Sequence, residues 1–145
     1  MSTGELGGPL ANTPTLMALA HFLAVRRVGE AVASAGFQVK PSHGAVFSQL
    51  GDDGARLSDL ARGAQMSPQA MGELVDELER AGYVVRTPDP TDRRAKRIVL
   101  TEAGRRCSEA GRDAVESFER RLGDVLGKRG HRELRRLLLR LLDDD

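Results

Sequence analysis

The sequence predicts a mainly α-helical fold of the α+β class, with a two-stranded β hairpin set among the helices. Apolar residues recur at helical spacing over long segments at both ends of the chain. Between these segments, two helix-start signals lie close together. Two short β-branched segments follow them and flank a loop that contains proline and several arginines. We therefore expect helices to supply most of the core and the hairpin to project from it.

The composition is typical of one globular domain. The 145 residues are 30% charged, and no apolar run approaches the ~18 residues that a membrane span needs. The single Cys107 excludes an intramolecular disulfide and a cysteine-based zinc site. Residues 1–12 are rich in small and turn-forming residues and lack the pattern of a signal peptide. We expect a flexible tail there, a single domain over residues 13–145 and a cytoplasmic protein.

Helical segments at the two ends are predicted to form a dimerisation region. The first spans residues 13–36 and ends at Gly36. The other covers residues 101–142, where Thr101 caps a long helix and a last leucine-rich helix follows a break at Gly127 and Gly130. One small lobe cannot cover the apolar stripes of these helices alone, so we expect a homodimer.

A smaller lobe, residues 41–100, is predicted between them. Its first helix opens at Pro41. Ser58 is then predicted to cap a short helix, and Ser67 caps another, with Pro68 at the first helical position. The second of these short helices is expected to run to Ala81 and to end at Gly82.

The hairpin that follows concentrates positive charge. Strands are predicted at residues 83–86 and 98–100, with residues 87–97 as the loop between them. Residues 86–100 contain 5 basic and 2 acidic residues, whereas residues 41–85 contain 3 and 7. A basic patch this compact can neutralise phosphates although the net charge of the chain is only +1.

Two short helices joined by three residues and followed by a basic hairpin form a winged helix-turn-helix. The second helix of such a unit fits the major groove of DNA, and its N-terminal residues face the base edges. The hairpin, or wing, places cations beside the phosphates or in the minor groove. The predicted DNA-binding residues of this surface are Arg56, Arg62, Ser67, Pro68, Gln69, Gly72, Glu73, Arg86, Asp92, Arg93, Arg94 and Lys96.

These residues also have simpler interpretations. The wing cations could form a solvated hairpin, although the preceding helix pair favours DNA contact. Arg56 and Arg62 could contact phosphates or only coat the surface. Gln69 is the best candidate for reading a base, because an amide can bond adenine bidentately.

The order of these parts closely resembles the MarR family of regulators. The resemblance is carried by Leu-Ser-Asp-Leu-Ala at residues 57–61 and by the helix from Ser67 to the Leu-Glu-Arg-Ala-Gly-Tyr-Val segment that ends at residue 84. It continues in Asp-Pro-Thr-Asp-Arg-Arg at residues 89–94 and in Leu-Thr-Glu-Ala-Gly at residues 100–104. The wing motif followed by this helix start is much more specific than a helix-turn-helix alone.

The resemblance implies a cytoplasmic homodimer that acts as a repressor. The two-fold symmetry of such a dimer requires a pseudo-palindromic operator. It implies that the helix starting at Ser67 is the recognition helix. In the wing, it implies that Arg94 enters the minor groove and that Asp92 orients the wing through ion pairing. The sequence departs from the family at Gly72 and Glu73, where relatives often have Thr-Arg. A glutamate there repels phosphates but can accept a hydrogen bond from a cytosine amino group.

The resemblance also implies a small aromatic or lipophilic ligand. The candidate residues for its site are His21, Arg26, His43 and Phe47, although the simpler interpretation of these four as ordinary packing or surface residues is favoured. Cys107 lies on an apolar helical stripe, where a buried thiol behaves as a small hydrophobic group.

Two other classes of function compete with that of a ligand-responsive regulator. A DNA-binding architectural protein without a ligand would use the same wing and dimer helices. For an enzyme, the sequence offers neither a nucleophile–base pair nor a glycine-rich phosphate loop, so we expect no enzymatic activity and no cofactor.

Overall fold

The computed structural model describes residues 12–144. Among these, residues 29–111 form one unit, and residues 12–28 together with residues 112–144 form another. Three strands lie among the helices: β1 (Ala55–Arg56), β2 (Val84–Pro88) and β3 (Lys96–Leu100). The helices are α1 (Thr13–Ser34), a short 3₁₀ helix (Pro41–His43), α2 (Gly44–Phe47), α3 (Leu57–Gly63), α4 (Pro68–Arg80) and α5 (Glu102–Leu142). The predicted fold class, mainly α-helical with a winged helix-turn-helix, is confirmed.

The predicted N-terminal tail lies outside the described residues except for Asn12. The Asn12 side chain accepts a hydrogen bond from the backbone N–H of Thr15 at 3.0 Å and so caps α1. The helix ends where predicted, because Gly36 adopts a positive φ of 95° just beyond it.

The core of the 29–111 unit lies between α2, α3, α4 and the sheet. Buried side chains on one face of α4 meet residues of the other elements. Val46, Leu60, Met71, Val75, Leu78, Val84 and Ile98 are the most deeply buried members of this core. Met71, Val75 and Leu78 thus form the inward stripe of α4, with Leu74 partly buried beside it.

The sheet contains a third strand that the sequence did not predict. The strand order is β1-β3-β2 and both pairings are antiparallel, with Ala55 opposite Ile98 and Val84 opposite Leu100. Because β1 keeps the backbone extended through Arg56, α3 begins at once at Leu57. The expected N-cap at Ser58 is therefore wrong, and the wing belongs to a three-stranded sheet.

The turn between α3 and α4 contains one residue in the left-handed backbone conformation, which ends α3. Gln65 has a φ of 53°, and the N–H of Met66 donates to the carbonyl of Ala61 at 2.8 Å. The N–H of Gln65 donates to the carbonyl of Arg62 at 3.1 Å. This pair of bonds is the Schellman arrangement, which stops α3 and redirects the chain into α4.

The start of α5 is as predicted, and its break lies at the first of the two predicted glycines. The Thr101 hydroxyl accepts a hydrogen bond from the N–H of Gly104 at 3.0 Å and donates one to the carbonyl of Gly82 at 2.6 Å. A Cβ at Gly104 would collide with the carbonyl oxygen of Tyr83, so only glycine permits this close approach. The break is at Gly127, whose φ of 71° and ψ of 158° separate two helical parts, while Gly130 is helical.

The unit formed by the terminal segments exposes many apolar side chains. In α1, Phe22 is 68% exposed, and in the last part of α5, Leu142 is 72% exposed. Within this unit, His131 Nε2 lies 2.7 Å from Glu119 Oε2 across the break in α5. None of the helices within residues 12–144 has the length and apolar character to cross a membrane.

Candidate DNA-binding surface

Helix α4 presents its polar face outward and is capped as predicted. The Ser67 hydroxyl accepts a hydrogen bond from the N–H of Ala70 at 3.1 Å, and Pro68 occupies the first turn. Gln69 and Glu73 are exposed one helical turn apart, and Gly72 is half-buried beside them. Gln69 and Glu73 therefore share one accessible face opposite the buried stripe, and Gly72 lies at the edge of this face.

The middle of α4 is held by a buried histidine. His43 is 5% exposed, and its Nε2 lies 2.8 Å from Glu77 Oε2. Its Nδ1 accepts a hydrogen bond from the backbone N–H of Lys40 at 3.0 Å, so the hydrogen is on Nε2, which donates a hydrogen bond to Glu77. The ammonium of Lys40 binds the same carboxylate at 3.0 Å. Hydrogen bonds from His43 and then Lys40 lower the pKa of Glu77.

The tip of the wing carries unpaired cations. Arg93, Arg94 and Lys96 are exposed, and within residues 12–144 their side chains have no hydrogen-bond or ion-pair partner. The Asp92 carboxylate accepts a hydrogen bond from the backbone N–H of Arg94 at 3.0 Å, which is an Asx turn. Asp92 thus orders the tip through the backbone, whereas the resemblance implied ion pairing.

A buried carboxylate that the sequence analysis missed fastens the base of the wing. Asp89 is 5% exposed and lies 2.9 Å from Arg56 Nε and 3.6 Å from Arg97 Nη1. Its other oxygen accepts hydrogen bonds from Thr91, 2.8 Å from the backbone N and 2.7 Å from the hydroxyl. The bond from Arg56 and then those from Thr91 hold the pKa of Asp89 well below its usual range. The Asp-Pro-Thr spacing, typical of an Asx turn, was the available signal.

Three predicted DNA-binding arginines have partners within the unit. Arg56 is held by Asp89 as described. Arg86 Nη2 lies 2.7 Å from Asp76 Oδ1, and its Nη1 lies 2.9 Å from Glu79 Oε1, which ties β2 to the end of α4. Arg62 forms an ion pair with Asp59 at 3.1 Å, and because this pair is exposed to solvent it contributes little to the stability of the fold.

The predicted ligand-binding residues fall in different parts of the chain. His21 and Arg26 lie on the portion of α1 that belongs to the terminal unit, and His21 is exposed beside Phe22. His43 and Phe47 lie in the 29–111 unit. Both nitrogens of His43 are engaged, and Phe47 packs edge-on against a tyrosine ring at 6.3 Å. Within that unit, these two residues have structural contacts that account for them.

The thiol of Cys107 is buried, being 2% exposed. Burial raises the pKa of this thiol, which makes it a poor nucleophile at neutral pH. This agrees with the structural interpretation of the residue.

The 29–111 unit is similar in sequence to known transcriptional regulators. The sequence profile of the MarR family matches residues 37–95, which contain both short helices and most of the wing. The transcriptional activatory protein BadR of Rhodopseudomonas palustris is 33% identical over 76 residues, covering 52% of this chain and 42% of BadR. The HTH-type transcriptional repressor Rv2887 of Mycobacterium tuberculosis is 32% identical over 91 residues, covering 63% of this chain and 66% of the repressor.

The whole fold is also that of solved relatives. The transcriptional repressor CouR bound to a 23-mer DNA duplex aligns with a TM-score of 0.73 at 25% identity, covering 96% of this chain and 95% of CouR. The chain belongs to the MarR family. This MarR-family chain also aligns with CouR from Rhodococcus jostii RHA1 bound to p-coumaroyl-CoA. The TM-score is 0.71 at 27% identity, and the alignment covers 91% of this chain and 93% of CouR. The sequence matches to the two curated regulators, by contrast, span less than half of BadR and about two thirds of the mycobacterial repressor.

Proposed function

We propose that this MarR-family protein is a sequence-specific DNA-binding transcriptional repressor that works as a cytoplasmic homodimer. The observation that carries the proposal is that some cations of the wing are paired with acidic residues of the protein while others are not. Three of them, Arg93, Arg94 and Lys96, are exposed at the tip without partners in the described chain. Their charge is available to neutralise phosphates and release counterions.

The same unit offers a surface that can read sequence. The exposed face of α4 begins at a capped N-terminus, where the positive end of the helix dipole and the backbone N–H of Gln69 favour a phosphate. Gln69 stands in the first turn of this face and matches the donor and acceptor pattern of adenine. Affinity from the wing and preference from the helix are the two contributions that a regulator needs.

Control by a ligand is part of the proposal. CouR, a relative of similar fold, has been solved with p-coumaroyl-CoA bound, and DNA-bound CouR is named a transcriptional repressor. A small aromatic or lipophilic ligand weakens DNA binding only through its differential affinity for two states of the dimer. Ligand-dependent release from the operator separates this proposal from an architectural protein, which uses the same surface without release.

The proposal is tested by separating affinity from sequence preference. We expect Arg94→Ala to weaken binding to operator and scrambled duplexes together and to lower the magnitude of the salt slope by about one ion.

We expect Gln69→Ala to leave that slope nearly unchanged and to remove about 1–3 kcal/mol of discrimination at one base pair in each half-site. The measurement is a salt titration of binding on both duplexes, by fluorescence anisotropy.

Two further variants sharpen this test. Asp92→Ala should act as a milder form of Arg94→Ala, because it removes the turn that orders the tip. Arg112→Ala removes an exposed arginine of α5 that lies outside the candidate surface and should bind as the wild type does. If Arg94→Ala retains wild-type affinity and slope on both duplexes, the wing does not contact DNA and the proposal fails.

A further inference from the structure

Helix α4 contains four acidic residues, and three of them are paired within the unit. Arg86 lies 2.7 Å from Asp76 and 2.9 Å from Glu79. Glu77 is bonded by the buried histidine and the lysine that precede α2. The fourth carboxylate, that of Glu73, has no hydrogen-bond or ion-pair partner within residues 12–144. The unit thus neutralises the acidic groups of this helix selectively.

The unpaired carboxylate stands where a base contact would be made. Glu73 is exposed and lies one turn after Gln69, so their side chains are neighbours on the same face. Gly72, which precedes Glu73, adds no side chain beside this face. The paired Asp76 lies a turn further along the helix, where its charge is balanced by Arg86.

We propose that Glu73 is a specificity-determining residue that selects cytosine in the major groove, which rests on the proposed function of the surface. A carboxylate only accepts hydrogen bonds, and the cytosine N4 amino group is the donor that cytosine presents there. Adenine also presents an amino group, but its N7 acceptor lies beside it and repels the second carboxylate oxygen. Guanine presents two acceptors and thymine an acceptor and a methyl group, so neither offers a donor.

The electrostatic cost of Glu73 supports a role in discrimination. A carboxylate on this face repels phosphates of every DNA sequence, and no neighbouring cation in the described unit offsets it. Only a sequence that supplies an amino group compensates for this repulsion. Glu73 therefore rejects wrong sequences more than it strengthens binding to the right one.

The test is selection of bound duplexes from a randomised pool by the full-length protein, followed by affinity measurements on single sequences. Wild type should enrich a C·G pair at one position of each half-site. Glu73→Ala should lose about 5- to 150-fold of discrimination at that position and should bind scrambled DNA more tightly than the wild type. Glu73→Gln should admit A·T beside C·G there, because an amide both donates and accepts. Circular dichroism checks that both variants retain the helical content of the wild type.

Asp76→Asn is the matched control, because it removes one negative charge from the same helix. It should change affinity for all sequences alike and leave the cytosine preference intact. If the wild type binds selected DNA but Glu73→Ala keeps every base preference, Glu73 is only a repulsive charge and this inference is wrong, while the proposed function stands. If the wild type enriches no sequence at all, the proposed function fails and the inference fails with it.

Discussion

Gly72 lies in the interior of α4 although the fold does not require glycine there. A Cβ at this position would meet only Leu57 Cδ2, at 3.7 Å, which is an ordinary contact. We predict that Gly72→Ala raises the free energy of unfolding by about 1 kcal/mol, because alanine has the higher helix propensity. We also predict weaker operator binding, because the added methyl group separates the α4 backbone from the base edges. Urea unfolding and fluorescence anisotropy measure the two effects.

Gly111→Ala is the control for this substitution, since it adds a methyl group inside α5 with no atom within 4 Å. It should stabilise the protein without changing DNA affinity. Should Gly72→Ala bind the operator as tightly as Gly111→Ala does, close approach of the α4 backbone to DNA is not the reason for glycine.

At the scale of single residues, the sequence shows which side chains are basic, but it does not predict which of them have an ion-pair partner. The hairpin cations look alike in sequence, yet Arg86 is paired with acidic residues of α4, while Arg93 and Arg94 have no partner among the described residues. The pairings depend on the approach of β2 to α4, which periodicity alone does not give. The role of Asp89 was missed for the same reason, because its burial follows from the three-stranded sheet.

At the scale of elements, the wing depends on a charged residue at its base. The pKa of Asp89 is lower in the folded protein than the value of about 3.9 typical of an unfolded chain. The ionised carboxylate therefore contributes stability above about pH 4, and this contribution declines as the pH falls from there towards the folded pKa. We predict that Asp89→Asn unfolds at lower urea than the wild type at pH 7 and that the difference narrows at pH 3.

Asp89→Asn isolates the charge, because the amide keeps the side-chain size and an oxygen that can accept from Thr91. Urea titrations of both proteins at the two pH values make the comparison. A difference between them that is equal at pH 7 and pH 3 would contradict the prediction, since it would assign the effect to packing rather than to the ion pairs with Arg56 and Arg97.

The elements themselves were largely predictable where a cap or a glycine marks an end. Ser67, Gly82 and Thr101 act as predicted because each satisfies backbone groups locally. The start of α3 was misplaced because β1 is defined by pairing with β3, a contact distant in sequence. The turn before α4 uses Gln65 in a left-handed conformation, where sequence preference favours glycine or asparagine.

At the scale of the whole molecule, the terminal unit carries the apolar surface that a partner subunit would cover. Exposed large apolar side chains occur on α1 and on the last part of α5, including Leu16, Phe22, Leu137, Leu138 and Leu141. Monomeric soluble proteins rarely expose apolar surface on this scale. Self-association through the terminal helices is consistent with the proposed homodimer and with an operator of two half-sites about one helical turn apart.

Leu138→Glu tests this assembly, because Leu138 is 41% exposed in the single chain and the glutamate would be buried on association. An unpaired buried charge costs several kcal/mol, and a two-fold interface contains the substitution twice. We predict that the wild type is a dimer at micromolar concentration by light scattering and that the variant is a monomer with weakened operator binding. Ser117→Glu, which adds the same charge at an exposed polar position of α5, should remain dimeric. A wild type that is monomeric at micromolar concentration contradicts the homodimer. A dimeric variant would move the interface away from the leucine-rich end of α5.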